Sequence, residues 1–365
     1  MTPISTTVFL DPRDKPEDDG VGEVVVIPID ISALRAALLS WYDEGARTLP
    51  WRSPPGSAVR TDPYRVWLSE VMLQQTTVPH ATPYFLSFIE RWPTVGDLAA
   101  VADDELMAAW AGLGYYARAR NLLACARAVA NEHGGVFPDT EAGLRALPGV
   151  GAYTAAAVAA IAFDRKANVV DGNVERVMAR LFAVETPVPA ARPELARLAG
   201  SLVTDERPGD WAQALMDLGA TVCRPKSPLC LVCPARDWCA GYATGAPDRY
   251  PVKTKKADRP HRSGFAWVVR DGLGRVGLVQ RPDKGLLGGM LGLPTSEWSA
   301  SPSDAPPVEA DWADAGAIEH VFTHFSLTLS VRMAAGEGDF LWTAEQAALK
   351  ALPTVFAKAL VRALA

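Results

Sequence analysis

The sequence lacks the features of a membrane-spanning or secreted protein. Its longest unbroken apolar run, Ala155–Phe163, is much shorter than the roughly 20 residues that span a bilayer. No basic segment followed by an apolar core opens the chain, so we expect no secretory signal. Five cysteines in 365 residues are too few for a disulfide framework, and four of them lie between Cys223 and Cys239. This distribution indicates metal chemistry in a reducing compartment, and we expect a cytoplasmic protein.

Acidic residues are in slight excess, and the formal net charge is −6. Much of this excess lies in residues 1–30, whose seven acids, prolines and glycines are typical of a mobile extension. Residues 223–262, by contrast, hold nine Lys and Arg against three Asp. A local basic segment on a near-neutral body is compatible with phosphate binding, although a solvated linker has the same composition.

The composition, with 49% hydrophobic residues, supports a sizeable core, and the length allows two or three domains. Helical periodicity begins at Ser32 and continues for about 200 residues, with a nearly all-apolar segment at 64–76. Residues 241–262 are polar and proline-containing, which is typical of an interdomain linker. The remaining predicted elements are strands at 265–270, 276–280 and 326–333 and helices at 343–350 and 354–364.

Four cysteines have the spacing C-x6-C-x2-C-x5-C, as Cys223, Cys230, Cys233 and Cys239. Four thiolates on one short loop can surround a soft metal centre. Zinc sites more often pair two C-x2–4-C arms across a longer gap, and only one such arm is present here. The compact spacing therefore favours a 4Fe–4S cluster, with structural zinc as the alternative. We expect Cys125 to be an inert core thiol.

A glycine-rich corner, LPGVG at residues 147–151, separates two predicted helices, the first capped by Asp139 and the second starting near Tyr153. The glycines let the backbone approach another molecule, and the amides that open the second helix favour an anion. The candidate phosphate contacts are Gly149, Val150 and Gly151. A helix–turn–helix corner without a ligand is the alternative.

Two carboxylates are candidates for acid–base chemistry. Glu70 lies on the apolar helix predicted at 64–76, where desolvation raises a carboxyl pKa toward neutrality, as a general acid requires. Asp171 precedes a predicted helix, where it can cap the N-terminus and stay ionised. Carboxyls in these two states break glycosidic bonds through an oxocarbenium-like state. The alternatives are a hydrogen-bonded structural Glu and a simple N-cap.

Taken in order, these segments resemble the MutY-type adenine DNA glycosylases of the helix-hairpin-helix DNA glycosylase superfamily. The resemblance extends from about residue 32 to the C-terminus. The motifs that carry it are LPWR at Leu49–Arg52, PYRVWLSEVMLQQT at Pro63–Thr76, GLGYYARARNL at Gly112–Leu122, LPGVGAYTA at Leu147–Ala155, VVDGNVERV at Val169–Val177, WAQALMDLGATVC at Trp211–Cys223, and the four-cysteine loop.

The resemblance implies a multi-domain, mostly α fold. A helix-hairpin-helix glycosylase fold, made of a six-helix barrel domain and an iron–sulfur domain, would precede an α+β MutT-like (Nudix-type) C-terminal domain. The implied boundaries are a mobile extension at 1–30, the catalytic region at 31–222, the cluster loop at 223–240, the linker at 241–262 and an 8-oxoguanine recognition domain at 263–365.

The implied activity is hydrolysis of the N-glycosidic bond of adenine paired with 8-oxoguanine or guanine in double-stranded DNA. Glu70 would protonate the flipped adenine at N7 and later help to activate water, while Asp171 would stabilise the positively charged sugar. Tyr153 and Asn173 would position these groups. The residues implied to line the adenine pocket are Trp51, Arg52 and Gln213, and those implied to probe the lesion and prop open the base stack are Gln75, Thr76, Leu113 and Tyr115. Extruding a base costs a few kcal/mol, which inserted side chains offset.

Position 153 separates this family from the related endonuclease III-type lyases, where a lysine forms a Schiff base. Tyr153 offers no amine, so we expect a monofunctional glycosylase. In the C-terminal part, HVFTH at residues 320–324 resembles the loop that recognises 8-oxoguanine, with Phe322, Thr323 and His324 at the contacting positions. The Glu-rich helix that holds magnesium in Nudix hydrolases is missing, which argues against a nucleotide hydrolase.

Two further alternatives are a non-catalytic iron–sulfur protein that binds DNA or senses redox state, and a glycosylase for another mismatched base such as thymine. The presence of Glu70 and Asp171 argues against the first, and Glu70 with the C-terminal loop argues against the second. We expect a nucleoid-associated monomer that makes no membrane contact, in which the cluster and its basic neighbours bind the DNA backbone rather than transfer electrons.

Overall fold

The computed structural model describes residues 29–254, 259–282, 285–322 and 324–365. The chain divides into two compact units, Met1–Thr254 (unit 1) and Lys255–Ala365 (unit 2), and each has its own hydrophobic core. Residues 1–28 of the extension expected at 1–30 lie outside the described residues. Across the described ranges, no helix combines the length and hydropathy that a bilayer span requires.

Unit 1 is helical and is organised around one buried helix. Its helices are α1 (Ile31–Gly45), α2 (Pro63–Leu73), α3 (Val78–Arg91), α4 (Val95–Ala99), α5 (Asp103–Trp110), α6 (Ala117–Glu132), α7 (Glu141–Ala146), α8 (Ala152–Phe163), α9 (Gly172–Leu181), α10 (Arg192–Leu202), α11 (Pro208–Asp217) and α12 (Ala240–Ala243). Helix α8 is buried along Thr154–Ala162 and packs against α2, α7 and α11. Its alanines permit this close packing: a Cβ on Gly209 of α11 would lie 2.7 Å from the Ala160 carbonyl oxygen.

Helix α2 is shorter than the sequence predicts. Asp62 caps its N-terminus through the Tyr64 amide, and Pro63 occupies the first turn, where a missing N–H costs nothing. The helix ends at Leu73 rather than continuing to Thr76, because Gln75 adopts a left-handed conformation with φ of 59°. Glu70 therefore lies in the last turn of α2, and Gln75 and Thr76 leave it on irregular backbone.

The predicted glycine-rich corner is a tight turn between α7 and α8. Gly149 has a φ of 71°, which glycine adopts readily, and a Cβ there would lie 2.6 Å from Asn121 Cβ. The prediction that Asp139 caps α7 is wrong. Thr140 is the cap and accepts from the Gly143 amide at 3.2 Å, while the Asp139 carboxylate pairs with Arg165 instead.

A π-helical segment, Leu218–Val222, continues α11 and leads directly into Cys223. All of α11 is buried, so its polar side chains point into the interior of unit 1. Segments of π-helix are rare and often mark functional sites. Here the segment joins the buried helix α11 to the cysteine loop.

Unit 2 is an α+β unit built on a six-stranded sheet of order β3-β2-β1-β5-β4, with β6 also paired to β2. The elements are β1 (His261–Arg270), β2 (Val276–Gln280), β3 (Leu291–Gly292), β4 (Ala313–Val321), β5 (Ser326–Ala335), β6 (Leu341–Thr343), α13 (Glu345–Ala351) and α14 (Thr354–Leu364). Strands β1 and β5 are parallel, and the other pairs are antiparallel.

The sequence pattern missed part of this sheet. Strand β4 is an edge strand with little burial on either face, so it has no clear apolar alternation. Thr343 belongs to β6 rather than to the following helix, which begins at Glu345. The domain boundaries expected from the sequence stay a prediction, although the division between the units, after Thr254, falls within the proposed linker.

Candidate active site

A cavity of about 430 Å³ in unit 1 brings together nine of the residues singled out in the sequence, including all four proposed catalytic residues. These are Trp51, Arg52, Glu70, Gln75, Thr76, Tyr153, Asp171, Asn173 and Gln213. They come from separate stretches of the chain, including the ends of α2, α8 and α9 and the middle of α11. A volume of this size falls in the range of small-molecule sites and is compatible with an extruded base.

Glu70 occupies the most desolvated part of this cavity. It is 7% exposed, and Tyr153 Oη donates a hydrogen bond to its Oε2 at 2.8 Å. Burial raises the pKa of Glu70 to about 7; the Tyr153 hydrogen bond opposes this shift, and the Asp171 charge adds to it. The carboxyl therefore exchanges its proton near neutral pH, as general acid–base chemistry requires.

Asp171 is held by the start of α9. Its Oδ1 accepts from the amides of Asn173 and Val174 at 2.9 and 2.7 Å, which makes it the predicted N-cap. Its Oδ2 accepts from the Asn173 side-chain amide at 2.8 Å. These three N–H donors fix the orientation of the Asp171 carboxylate. Glu70 and Asp171 line one cavity.

A buried carboxylate that pairs with two cavity-lining arginines was missed by the sequence analysis. Asp217 is 1% exposed and binds Arg52 Nη1 at 2.8 Å and Arg47 Nη2 at 2.7 Å. Asp217 lies one helical turn after Gln213, inside a motif already noted, so its helical spacing could have indicated it. Gln213 donates to the Gly209 carbonyl, while its Oε1 is buried with no hydrogen-bond partner among the described residues.

The predicted wedge residues divide between two places. Gln75 and Thr76 line the cavity just after α2. Leu113 and Tyr115 lie instead in the loop between α5 and α6, outside the cavity lining; Leu113 is buried and the Tyr115 side chain is 62% exposed. Such an exposed aromatic ring is available to another molecule.

The hairpin residues also lie outside the cavity lining. Val150 is buried, whereas Gly149 and Gly151 are exposed. Gly151 is the N-cap of α8, and no side chain caps the first amides of that helix. The first turn therefore keeps N–H groups that an external acceptor such as a phosphate could use.

The cysteine loop lies next to a buried guanidinium. Arg180 is 2% exposed and donates to Cys223 Sγ at 3.3 Å and to the Arg224 carbonyl at 2.7 Å. Burial, reinforced by the charges of the other three cysteines of the loop, raises the pKa of Cys233 to about 12. In the described parts of the chain, no three His, Cys, Asp or Glu side chains are grouped closely enough to hold one metal ion. Cys125 is buried in the core, away from this loop, as expected.

Arg176 connects the cysteine loop to the cavity, and the sequence analysis missed it. Its guanidinium donates to the Cys223 carbonyl at 2.8 Å, to the Gly219 carbonyl at 2.7 Å and to Asn173 Oδ1 at 2.9 Å. Asn173 in turn binds Asp171. One side chain thus fixes the backbone before the cysteine loop relative to the Asp171 carboxylate.

The segment predicted as a loop at 320–324 of unit 2 begins with the last two residues of β4, and it carries an aromatic group. Phe322 is half-buried and stacks on Trp298 with ring centroids 5.6 Å apart, and it also contacts Phe325 and His320. His324 is exposed on irregular backbone rather than in a strand. Thr323 lies outside the described residues. The packing restrains Phe322 and leaves the imidazole of His324 accessible.

Comparison with known proteins identifies both units. Residues 68–199 match the HhH-GPD superfamily of base excision DNA repair proteins, and residues 265–362 match the NUDIX domain. The chain is 37% identical over 374 residues to the adenine DNA glycosylase of Homo sapiens, covering 85% of this chain and 68% of the human protein.

Two further matches support these assignments. The adenine DNA glycosylase of Mycolicibacterium smegmatis is 41% identical over 237 residues, covering 64% of this chain and 79% of that protein. The solved structure of a thermostable thymine-DNA glycosylase aligns with a TM-score of 0.52 and 30% identity, covering 59% of this chain and 97% of that one. The predicted fold, a helical HhH-GPD region followed by a Nudix-type unit, is confirmed.

Proposed function

Because this chain belongs to the adenine DNA glycosylase family of base excision repair enzymes, we propose that the adenine it excises is paired with 8-oxoguanine or guanine in double-stranded DNA. The observation that carries the proposed mechanism is the buried Glu70–Tyr153 pair in a cavity that also holds Asp171. The cavity lies in unit 1, and the residues proposed to recognise the opposite base lie in unit 2.

Glu70 acts first as the acid. In its protonated form it donates a proton to N7 of the extruded adenine, which makes the base a better leaving group as the C1′–N9 bond breaks. The carboxylate that remains accepts a proton from the water that attacks C1′. A carboxyl with a pKa of about 7 serves both steps near neutral pH. Tyr153 orients this carboxyl through its 2.8 Å hydrogen bond.

Asp171 stabilises the positive charge that develops on the sugar ring. Its three N–H donors fix its orientation, so it requires little reorganisation in the transition state. Asn173 is the residue that positions it. Because residue 153 is Tyr and carries no amine, no Schiff base forms there, and the enzyme is a monofunctional glycosylase.

The adenine pocket is walled by Trp51, Arg52 and Gln213. The Gln213 Oε1, buried without a partner among the described residues, suits an amino-group donor such as the adenine N6. Gln75, Thr76, Leu113 and Tyr115 contact the opened duplex, and the exposed ring of Tyr115 fills space in the base stack. The hairpin residues Gly149, Val150 and Gly151 bind a phosphate.

Cys223, Cys230, Cys233 and Cys239 hold a 4Fe–4S cluster. Four thiolates bring negative charge that the buried Arg180 offsets, so the donor set and its surroundings fit such a group. Structural zinc, the alternative, more often pairs two C-x2–4-C arms across a longer gap, and only one such arm is present here. When bound, the cluster would make the four-cysteine loop rigid. The basic residues beside this loop would then contact the DNA backbone.

In unit 2, Phe322, Thr323 and His324 contact 8-oxoguanine. The support is the accessible imidazole of His324 beside the packed ring of Phe322. The enzyme acts as a cytoplasmic, nucleoid-associated monomer.

The test is single-turnover base release from duplexes that carry A opposite 8-oxoguanine or G, with A·T, C·8-oxoguanine and T·G duplexes as controls. We expect adenine release from the two A mispairs alone. Glu70→Gln should abolish release and leave binding to lesion DNA nearly intact, whereas Glu90→Gln, the same change on the exposed face of α3, should have no effect. Thymine release from T·G, or loss of binding together with catalysis in Glu70→Gln, would contradict the proposal.

A further inference from the structure

The loop that carries Leu113 and Tyr115, residues 111–115, has an unusual set of hydrogen bonds and is called the wedge loop below. Each of its first four carbonyl oxygens accepts a hydrogen bond from a side chain of a flanking helix. The pairs are Tyr84 to Ala111 (3.0 Å), His80 to Gly112 (3.2 Å), Arg118 to Leu113 (2.9 Å), and Trp110 and Arg118 to Gly114 (3.0 and 3.3 Å). These side-chain hydrogen bonds fix the backbone of residues 111–114, so this loop is pre-formed.

The backbone of the wedge loop is also strained. Gly112 and Gly114 have φ of 103° and 69°, and Tyr115 has a φ of 48°, which is unfavourable for a residue with a side chain. Strain of this kind persists where surrounding contacts impose it, and it is found at functional sites. The contacts here hold the Tyr115 ring outward, with 62% of it exposed.

Arg118 contributes more to this arrangement than the other donors. While Nη2 binds the wedge loop, Nη1 donates to the carbonyls of Val71 and Met72, at 2.9 and 3.1 Å. These carbonyls belong to the last turn of α2, where helix geometry leaves acceptors without partners. Glu70 directly precedes Val71, so one guanidinium joins the backbone beside the catalytic acid to the loop that carries Tyr115.

The burial of Arg118 indicates that its hydrogen bonds to α2 and to the wedge loop are specific contacts. The residue is 9% exposed, and its guanidinium hydrogen bonds to the described residues all go to backbone carbonyls. Its charge is balanced by carbonyl dipoles and by the rings of Trp110 and Tyr115, whose centroids lie 5.3 and 5.6 Å from its Cζ. The planar guanidinium of Arg donates to two backbone segments at once, whereas the compact ammonium group of Lys cannot.

We propose that Arg118 is a positioning residue that makes the wedge loop and the Glu70 helix one rigid frame. Insertion of Tyr115 into the base stack then places the extruded adenine at a fixed distance from Glu70. The inference rests on the wedge role of Tyr115 in the proposed function. It predicts that Arg118 acts on adenine extrusion through Tyr115, and not on the acid–base chemistry or on general DNA affinity.

A double-mutant cycle tests this link. Single-turnover adenine release is measured for Arg118→Lys, Tyr115→Ala and the double variant in the full-length, cluster-loaded protein, with 2-aminopurine beside the target adenine to report unstacking. Each single variant should slow release and unstacking by about tenfold, and the double variant should be no slower than either, because both remove the same step. The pH dependence of the release rate should not change.

The matched control is Arg127→Lys on the same helix, since Arg127 also donates to backbone carbonyls, those of Ala99 and Val101, but away from the wedge loop. It should leave release unchanged. If Arg118→Lys does not fold, Arg118→Gln removes the buried charge and keeps an amide donor. If adenine release by the double variant slowed by about a hundredfold, the two substitutions would act independently. That result would overturn the proposed coupling between Arg118 and Tyr115. A fully active Tyr115→Ala would overturn the wedge role and the inference with it, while leaving the Glu70 chemistry untouched.

Discussion

The ionisation of Glu70 depends on its burial and on three neighbours with opposing effects. Burial, the largest effect, and the Asp171 charge favour the protonated form, whereas the Tyr153 hydroxyl and the Arg52 charge favour the carboxylate. The resulting balance, set mainly by burial, is a pKa of about 7. A carboxyl that must donate and then accept a proton requires this balance. Single substitutions in the site should therefore move the pH at which the enzyme works as well as its rate.

The first prediction concerns the pH profile. Because Glu70 must be protonated, the single-turnover rate should fall as pH rises through about 7. Tyr153→Phe removes the donor that stabilises the carboxylate, so the pKa of Glu70 rises and the fall should move to higher pH. Rates measured from acidic to alkaline pH for both proteins test this. A shift to lower pH would contradict the assigned role of Tyr153.

The second prediction concerns stability. The pKa of Glu70 is about 7 in the folded protein and close to 4.5 when exposed, so the folded state binds more protons between these values and the free energy of unfolding falls as pH rises. Glu70→Gln has no carboxyl to ionise, so its free energy of unfolding should not show this fall. From about pH 5 to about pH 8 it should gain up to about 3 kcal/mol relative to the wild type. Urea unfolding at both pH values measures the gain, and Glu90→Gln should show none.

At the scale of elements, the ends of helices determine the site. The last turn of α2 carries Glu70, the first turn of α9 is capped by Asp171, and the second residue of α8 is Tyr153. Helix ends offer unpaired N–H and carbonyl groups that orient charged side chains. The π-helical segment 218–222 adds a fourth element, because Gly219 lies against Asn173.

The third prediction follows from that contact. A Cβ at Gly219 would lie 2.5 Å from Asn173 Cβ and 3.1 Å from its carbonyl oxygen. Gly219→Ala should displace Asn173 and the Asp171 carboxylate, slowing base release by about tenfold to about a hundredfold with little change in DNA affinity. Gly45→Ala at the end of α1, where a Cβ meets no heavy atom within 4 Å, is the control. An unchanged release rate in Gly219→Ala would show that Asn173 does not position Asp171.

At the scale of the whole molecule, the two units have separate cores and, in the proposed function, separate tasks. The core of unit 1 surrounds α8 and supports the cavity, whereas that of unit 2 lies between its sheet and α14. Proposed chemistry and proposed recognition of the opposite base are therefore encoded in different units. Variants should separate the release rate from the preference for 8-oxoguanine.

The fourth prediction uses this separation. His324→Ala removes an exposed imidazole from unit 2, so the preference for 8-oxoguanine over guanine opposite A should fall by about tenfold, the loss expected for one hydrogen bond. Adenine release from the A·G duplex should not change. Single-turnover rates on the two duplexes give the ratio, and His133→Ala, an exposed histidine of unit 1, is the control. A slower A·G reaction in His324→Ala would place this residue in catalysis instead.

The sequence by itself determined the features that local patterns encode. Glu70 on a nearly all-apolar helix is buried because most of that helix packs into the core, and Asp171 before a helix start caps that helix. The absence of a lysine at position 153 excludes a Schiff base there, and this conclusion follows from the sequence alone. The edge strand β4 escaped prediction because neither of its faces is well buried and alternation is absent.

Only the tertiary structure decided which distant groups meet. Asp217 pairs with Arg52 across 165 positions, Arg176 reaches the Cys223 carbonyl across 47, and Arg118 joins α2 to the wedge loop. The side chains of these arginines are long and have several rotamers, so spacing along the chain does not specify their partners. Their carbonyl and carboxylate acceptors bind water in the unfolded chain. They need protein donors only where helix packing excludes that water.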